Sequence, residues 1–426
     1  MSARVARSLP WIIAVASSLA YAVARAPLGT RAPAYIALHT GLALAQLALA
    51  RALLDSNTDT RIQQRLLAAS VFARVALVAV DPFTTTDVGR YLWDGAAALS
   101  GHDPYAHAPN APALAALRER WPLPADHHDV VGCYPPLAEL LFALCALGGP
   151  SLSLWLWKLS LAVVSALSAR SLARACETPA QWAAATLWLL HPLVLFEGGV
   201  GAHLDVLTGA ALIWALLAIE RDRWGRAGLW LGVAVSLKLT PLIVCVALWP
   251  RARSRWRFLL ACALLPLLTI ALPWALGLAL PGSLPLVATH WNFGAPLWTA
   301  LYTRWPTSDA VIRPALSALG ALWVLAQWLR PRASHSAIAR DALLGYAVTN
   351  PTLYPWYVLP SLACAARAPS AFAWGLATVT PFTYEVIDRY ALRREWTPAR
   401  WPLWLTAIVP VALALAAWAH RRRQRA

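Results

Sequence analysis

Repeated apolar runs constrain this chain more than any other feature. They fall at roughly 9–25, 33–54, 63–81, 152–173, 178–198, 204–220, 256–279, 309–329, 369–387 and 402–419. Runs of roughly 17 to 25 apolar residues are long enough to cross a bilayer as helices. Only helices and closed β-barrels satisfy every backbone polar group within lipid. The runs are rich in Leu, Ala, Val and Trp without alternation, which excludes a barrel. The chain is 59% hydrophobic and only 13% charged, against about 25% charged for a soluble domain. It therefore reads as an all-α polytopic membrane protein. No internal repeat and no domain boundary is visible, so residues 1–426 form one integral membrane domain, expected to hold about 10–13 transmembrane helices.

The net charge of +16 is spread in short clusters between apolar runs: ERDRWGR at 220–226, RARSRWR at 251–257 and RRRQR at 421–425. This is the positive-inside pattern, not a continuous basic face that tracks phosphates, and no nucleic-acid partner is expected. With the clusters in the cytoplasm, both termini lie there and the 82–134 loop lies on the outer face of the plasma (inner) membrane. The N-terminal MSARVARSLPWIIAVASSLAYAVARAP has the parts of a signal peptide but reads as an uncleaved first helix in a chain with so many later spans. The six cysteines show no CxxC or zinc spacing and imply no disulfide framework.

Two segments do not read as plain spans. Residues 227–249 are apolar with basic flanks, and Lys238–Pro241 interrupts them; proline disrupts the helix before it. Two half-helices are expected there, with Lys238 near the turn. Residues 337–366 behave likewise around NPTLYPWY at 350–357. Broken helices are tolerated at membrane depth where protein or water satisfies the freed backbone. Residues 134–149 follow two prolines and are short, as for a helix lying along the outer interface.

The 82–134 loop is too rich in Tyr, Trp and Leu for a disordered linker, and long ordered loops are usually functional. In TDVGRYLWDG, Asp87 and Asp94 flank Arg90, Tyr91 and Trp93. Acids beside an arginine at a membrane boundary serve as general base, as ion ligands, or as structural partners, as Asp87–Arg90 at i, i+3 would. His102, His107, His127 and His128 share the loop with Asp103, Asp126 and Asp129. No HxxxH or HExxH spacing supports a metal site, so no metal cofactor is expected. His203 and Asp205 sit at a helix start, as a cap or as a functional pair. Of only two lysines, Lys238 at the helix break is the better phosphate ligand; Lys158 reads as a snorkelling side chain. Arg74 lies inside the third run, so it should face the protein interior and meet an acid or a phosphate. Tyr134, Asn292, Tyr354, Trp356 and Tyr357 are candidate sugar or lipid contacts, or members of an interfacial aromatic belt.

In order along residues 65–365, DVGRYLWDG, GHDPY, an HxDV stretch running into YPPLAELLF, GAHLDVLTG, SLKLTPLIV, HWNFGAPLW and NPTLYPWYVLP resemble bacterial polyprenyl-phosphate-sugar-dependent glycosyltransferases. These are multi-span GT-C fold enzymes of the glycosyltransferase 87 and mannosyltransferase type. The resemblance implies inverting transfer of a hexose, mannose by preference, from a polyprenyl-phosphate donor to an acceptor hydroxyl outside the membrane. By match it implies Asp87 as the base and places His127, His203, Asp205 and Lys238 in the family's motifs; the leaving phosphate itself calls for cations, which Lys238, Arg90 or Arg74 would supply, with His127 beside them. Asp94, Tyr91, Trp93, Tyr134, His203, Asp205, Asn292, Tyr354 and Trp356 would bind substrate. Thr86 stands where relatives often carry a second acid, and Gly89 where an aromatic is common. The acceptor stays unnamed. A secondary transporter also uses broken helices and buried charges, but it predicts an inverted repeat and no long ordered outer loop.

Overall fold

The computed structural model describes residues 2–56 and 59–424, so Arg425 of the last basic cluster lies outside the described residues. Within them the regular structure is helical, with only isolated bridges from Phe293 and Gly294 to Thr352. Among the described residues six helices are long and apolar enough to cross a membrane: Arg4–Ala24, Arg31–Leu54, Gly149–Ala173, Arg255–Ala275, Pro306–Leu329 and Arg400–Arg423. Their outward faces carry large uncovered apolar side chains such as Trp256, Leu260, Leu267 and Trp274, the surface that lipid covers in a membrane protein. Of the remaining expected spans, 63–81 is the unbroken but more polar 19-residue helix Thr60–Val78, and the others are shorter or broken. The run at 204–220 is the 16-residue helix Asp205–Glu220. The run at 369–387 divides into Ala371–Val379, a tight turn over Thr380–Glu385 and Val386–Arg393.

The run at 178–198 is likewise two helices, Pro179–Leu189 and Pro192–Gly199. Pro192 has no N–H for the Trp188 carbonyl four residues back. The Leu193 N–H turns to His191 Nδ1 instead, at 3.2 Å, which frees the Leu189 carbonyl. Arg74 supplies what the break removes: Nη2 donates to Trp188 O at 2.7 Å and Nη1 to Leu189 O at 2.8 Å. Its Nε donates to Ser165 Oγ at 2.7 Å. The interior position expected of Arg74 holds, but its partners are carbonyls and hydroxyls rather than an acid or a phosphate. Lys158 does not snorkel: it is buried and its ammonium donates to Val80 O, just past the end of the Thr60–Val78 helix.

Both expected helix breaks are present. Trp224–Leu237 ends at Lys238, whose backbone is extended, and Leu242–Leu248 follows Pro241. His335–Thr349 ends at an extended Asn350 before Pro355–Val358 and Leu359–Ala365. The freed backbone of the second break pairs with the 291–293 crossing: Leu353 N–H donates to Phe293 O at 2.7 Å and Phe293 N–H to Pro351 O at 3.2 Å.

The outer loop is ordered around the helix Asp87–Leu99, which packs on Pro136–Ala146. Gly95 is the point of closest approach. A Cβ there would stand 2.4 Å from the backbone carbonyl of Phe142. At its Glu220 end, the Asp205–Glu220 helix meets the basic clusters, through Glu220–Arg367 at 2.7 Å and Asp222–Arg253 at 2.7 Å. Its Asp205 end meets Lys238 at 2.7 Å. At 1.5 Å per residue the two ends are about 24 Å apart.

Replacing Gly95 by Ala forces backbone apart and should cost about 1–3 kcal/mol of stability. The thermal unfolding midpoint in detergent should fall; an unchanged midpoint would contradict the close approach.

Candidate active site

A cavity of about 970 Å3 lies where the outer loop meets the two helix breaks. Its polar end is lined by Asp87, Arg90, Asp126, His127 and Lys238. It continues between Leu242, Ile243 and Val246 of the second half-helix and Ala321, Val324 and Leu325 of Asp309–Ala326. The cavity is therefore charged at one end and hydrocarbon-lined at the other.

Asp87, Arg90 and Asp94 share a face because they stand at i, i+3 and i+7 of one helix. Arg90 Nε sits 2.8 Å from both Asp94 oxygens, and Nη1 donates to His127 O at 3.0 Å. This leaves Nη2 buried without a hydrogen-bond partner at the cavity wall. Arg90 thus organises the loop with three contacts and keeps one donor free. The Asp87 side chain is 32% exposed, and it lines the cavity. Burial raises its pKa to about 6, against the pull of Lys238 and a hydrogen bond with Thr85. The carboxylate is therefore ionised at neutral pH yet basic enough to take a proton. Asp126 is held beside it by Thr86 Oγ1 at 2.7 Å and by the Tyr390 hydroxyl.

Lys238 Nζ contacts both Asp205 oxygens, at 2.7 and 2.8 Å, and lies 4.2 Å from the centre of the Tyr357 ring. His127 packs against Trp291, with centroids 4.7 Å apart and the rings tilted by 57°. Partial burial lowers its pKa, opposed by Asp126 and reinforced by Arg90, so the ring is neutral at pH 7 and offers a hydrogen bond rather than a charge.

Of the residues expected from sequence, Asp87, Arg90, Asp94, His127, Tyr134, Lys238, Tyr354 and Trp356 line the cavity. Six do not. Arg74 is spent on the Pro192 break. Tyr91 lies under the helix, stacked on Phe142 at 4.6 Å. Trp93 points the opposite way, into a packed cluster with Leu114 and Leu117. Asn292 is exposed and donates to His290 O at 3.3 Å. Asp205 stands behind Lys238, and His203 behind Asp87, with Nδ1 3.7 Å from Oδ2. Tyr354 and Trp356 reach the cavity only by their edges. Their faces belong to a stack running Trp396, Phe293, Tyr354, Trp356, His203, with neighbouring centroids 5.5, 4.4, 4.3 and 3.8 Å apart.

Sequence reasoning missed Trp291, Arg313, Tyr390 and Trp396 as lining residues. It also missed Glu197, buried in an apolar run against Tyr384 and 3.4 Å from His203 Nε2. Among the described residues no group of three or more His, Cys, Asp and Glu could hold a metal ion.

A helical membrane protein with a carboxylate and an ammonium facing one lipid-lined cavity is the class this geometry defines. Residues 133–353, just over half of the chain, match glycosyltransferase family 87, and the chain belongs to that family. The matched stretch contains His203, Asp205 and Lys238 and begins beyond Asp87, Arg90 and His127. The chain is similar to the polyprenol-phosphate-mannose-dependent alpha-(1-2)-phosphatidylinositol pentamannoside mannosyltransferase of Mycobacterium tuberculosis (strain CDC 1551 / Oshkosh). The two are 29% identical over 202 residues, 45% of this chain and 42% of that protein. The match thus spans less than half the length of that curated relative. No solved structure matches.

Arg74→Met should lower the thermal midpoint, because it leaves the Trp188 carbonyl buried without a donor and the Leu189 carbonyl with the Ser70 hydroxyl alone. It should leave the KM for a lipid-linked donor unchanged. A raised donor KM with an unchanged midpoint would return Arg74 to the site.

Proposed function

We propose that this protein transfers a hexose from a polyprenyl-phosphate-linked donor to an acceptor hydroxyl, with inversion, at the outer face of the membrane. The observation that carries the reading is the single cavity that joins Asp87, Lys238 and an apolar lane. An isoprenoid chain fits the lane between Leu242, Ile243 and Val246 and the facing Ala321, Val324 and Leu325. Its phosphate then lies at the polar end, within reach of the Lys238 ammonium and the free Arg90 Nη2. Mannose is the sugar named for the mycobacterial relative. The outer-face assignment is supported by the Asp205–Glu220 helix, whose basic end lies about 24 Å from its site end.

In the step itself the acceptor oxygen forms a bond to the anomeric carbon as that carbon's bond to the phosphate oxygen breaks. The acceptor's proton passes to Asp87, and the electron pair leaves on the phosphate. A phosphate is a good leaving group, so the chain needs no general acid. Preorganised cations that meet the developing phosphate charge supply the main stabilisation.

The purified protein, incubated with a panel of polyprenyl-phosphate hexoses and polyol acceptors, should release free polyprenyl phosphate; release from none would refute the reading. Asp87→Asn should lower kcat about a hundred- to ten-thousandfold, as loss of a general base does, with the protein still folded. Lys238→Ala should raise the donor KM more than the acceptor KM; equal changes would count against a phosphate role. Since the base must be ionised, kcat/KM should fall as pH drops through about 6, and a profile flat down to pH 4 would exclude Asp87.

A further inference from the structure

His203 is fully buried, and neither ring nitrogen has a hydrogen-bond partner. Each nevertheless faces a carboxylate: Nδ1 is 3.7 Å from Asp87 Oδ2 and Nε2 is 3.4 Å from Glu197 Oε2. Trp356 covers one face of the ring, 3.8 Å away and 14° from parallel. Beside Cδ2 and Nε2 Gly201 leaves room: a Cβ there would stand 2.7 Å from His203 Cδ2 and 2.8 Å from Glu197 Oε2. The turn that carries the ring is pinned. Ala202 adopts φ 55, its carbonyl accepts from Trp157 Nε1 at 2.8 Å, and His203 N–H donates to Glu197 O at 2.8 Å.

Glu197 is also fully buried, and both oxygens accept from the Tyr384 hydroxyl, at 2.9 and 3.0 Å. The other ionisable groups acting on it or near it are Asp205, Asp87 and Tyr35. No cation is among these; the short contacts of Lys238 go to Asp205. A neutral imidazole between two ionised carboxylates has one N–H, so its other nitrogen would point a lone pair at an anion. One extra proton on the line Asp87–His203–Glu197 gives both contacts a hydrogen. Placed on the ring, it would make a second positive charge beside Lys238, which acts against it. Placed on Glu197, it removes a buried, uncompensated anion.

We propose that Glu197 is a positioning residue for the base: protonated, it donates to His203 Nε2 and fixes the Nδ1–H tautomer. Nδ1–H then donates to Asp87 Oδ2, leaving Oδ1 to take the acceptor's proton. A donor to the ionised carboxylate favours that form over the protonated one. The other groups facing Asp87 are Lys238, Asp205 and Asp126, the Thr85 hydroxyl, and Tyr91, Tyr134, Tyr354, Tyr357, Tyr384 and Cys133. None of them supplies an N–H to Oδ2. The catalytic part of this inference rests on the proposed role of Asp87; the tautomer does not.

The test is nitrogen-15 NMR of histidine-labelled full-length protein in nanodiscs without donor. The signal lost in His203→Phe should be a neutral Nδ1–H ring that does not titrate between about pH 5 and 8, where an ordinary histidine would. Glu197→Leu should convert it to a mixed or titrating ring. Glu197→Gln, whose amide N–H replaces the carboxyl proton, should restore it. An Nε2–H ring or an imidazolium in the unmodified protein would overturn the proposal. With polyprenyl-phosphate mannose as donor, His203→Phe should lower kcat about ten- to a hundredfold, the worth of a hydrogen bond to a charged group, with donor KM unchanged. The acid limb should move to higher pH; an unmoved limb would also overturn the proposal. If the unmodified protein releases nothing from any polyprenyl-phosphate hexose of the panel, the functional reading fails, while the NMR still decides the tautomer.

Discussion

The rest of the site depends on the ion pair between Lys238 and Asp205. A lone ammonium or carboxylate among apolar helices is costly, and removing one partner of a buried pair typically costs about 3–5 kcal/mol. Here the pair gathers three pieces of backbone. Asp205 opens the Asp205–Glu220 helix, where the helix dipole favours a carboxylate. Lys238 closes the Trp224–Leu237 half-helix. Tyr357, under the ammonium at 4.2 Å, belongs to the second break. With both carboxylate oxygens on one ammonium, the two broken helices meet at a fixed point, and that point lines the same cavity as Asp87.

The breaks explain several of the buried polar contacts. Each proline removes an N–H that a carbonyl needed, and in lipid no water replaces it. Arg74 restores the balance at Pro192, and the 291–293 crossing does so near Pro351. Lys158 meets Val80 O, a carbonyl just past the end of the Thr60–Val78 helix. These groups build the frame. Among the buried groups left without a partner, Arg90 Nη2 and the two nitrogens of His203 lie at or directly behind the cavity.

Much of this is written plainly in the sequence. Lys238 is legible because a lysine and a proline interrupt an otherwise apolar run, and the outer loop because its acids are concentrated beside aromatics. The interior position of Arg74 is legible for the same reason, but its partners are not: periodicity does not show which carbonyls a proline frees in a neighbouring segment. The split at Pro192 hides within a run whose hydropathy never drops. Glu197 sits in that run and carries the signal that marked Arg74, an ionisable side chain inside an apolar stretch; the same reasoning applied to acids would have found it. Trp93 was misplaced because helix phase turns it away from Asp87, and Tyr91 because the Phe142 ring lies beneath it. Thr86 has a spatial answer that no linear reading shows. Its hydroxyl holds Asp126, so a second carboxylate acts on Asp87 from forty residues away.

The most direct measurement is a cryo-EM map of the protein with a non-transferable polyprenyl-phosphonate hexose. The account predicts phosphonate oxygens at Lys238 Nζ and Arg90 Nη2, the sugar toward Asp87, and the isoprenoid chain between Val246 and Val324. A headgroup bound away from Lys238, or a chain leaving by another face, would contradict it.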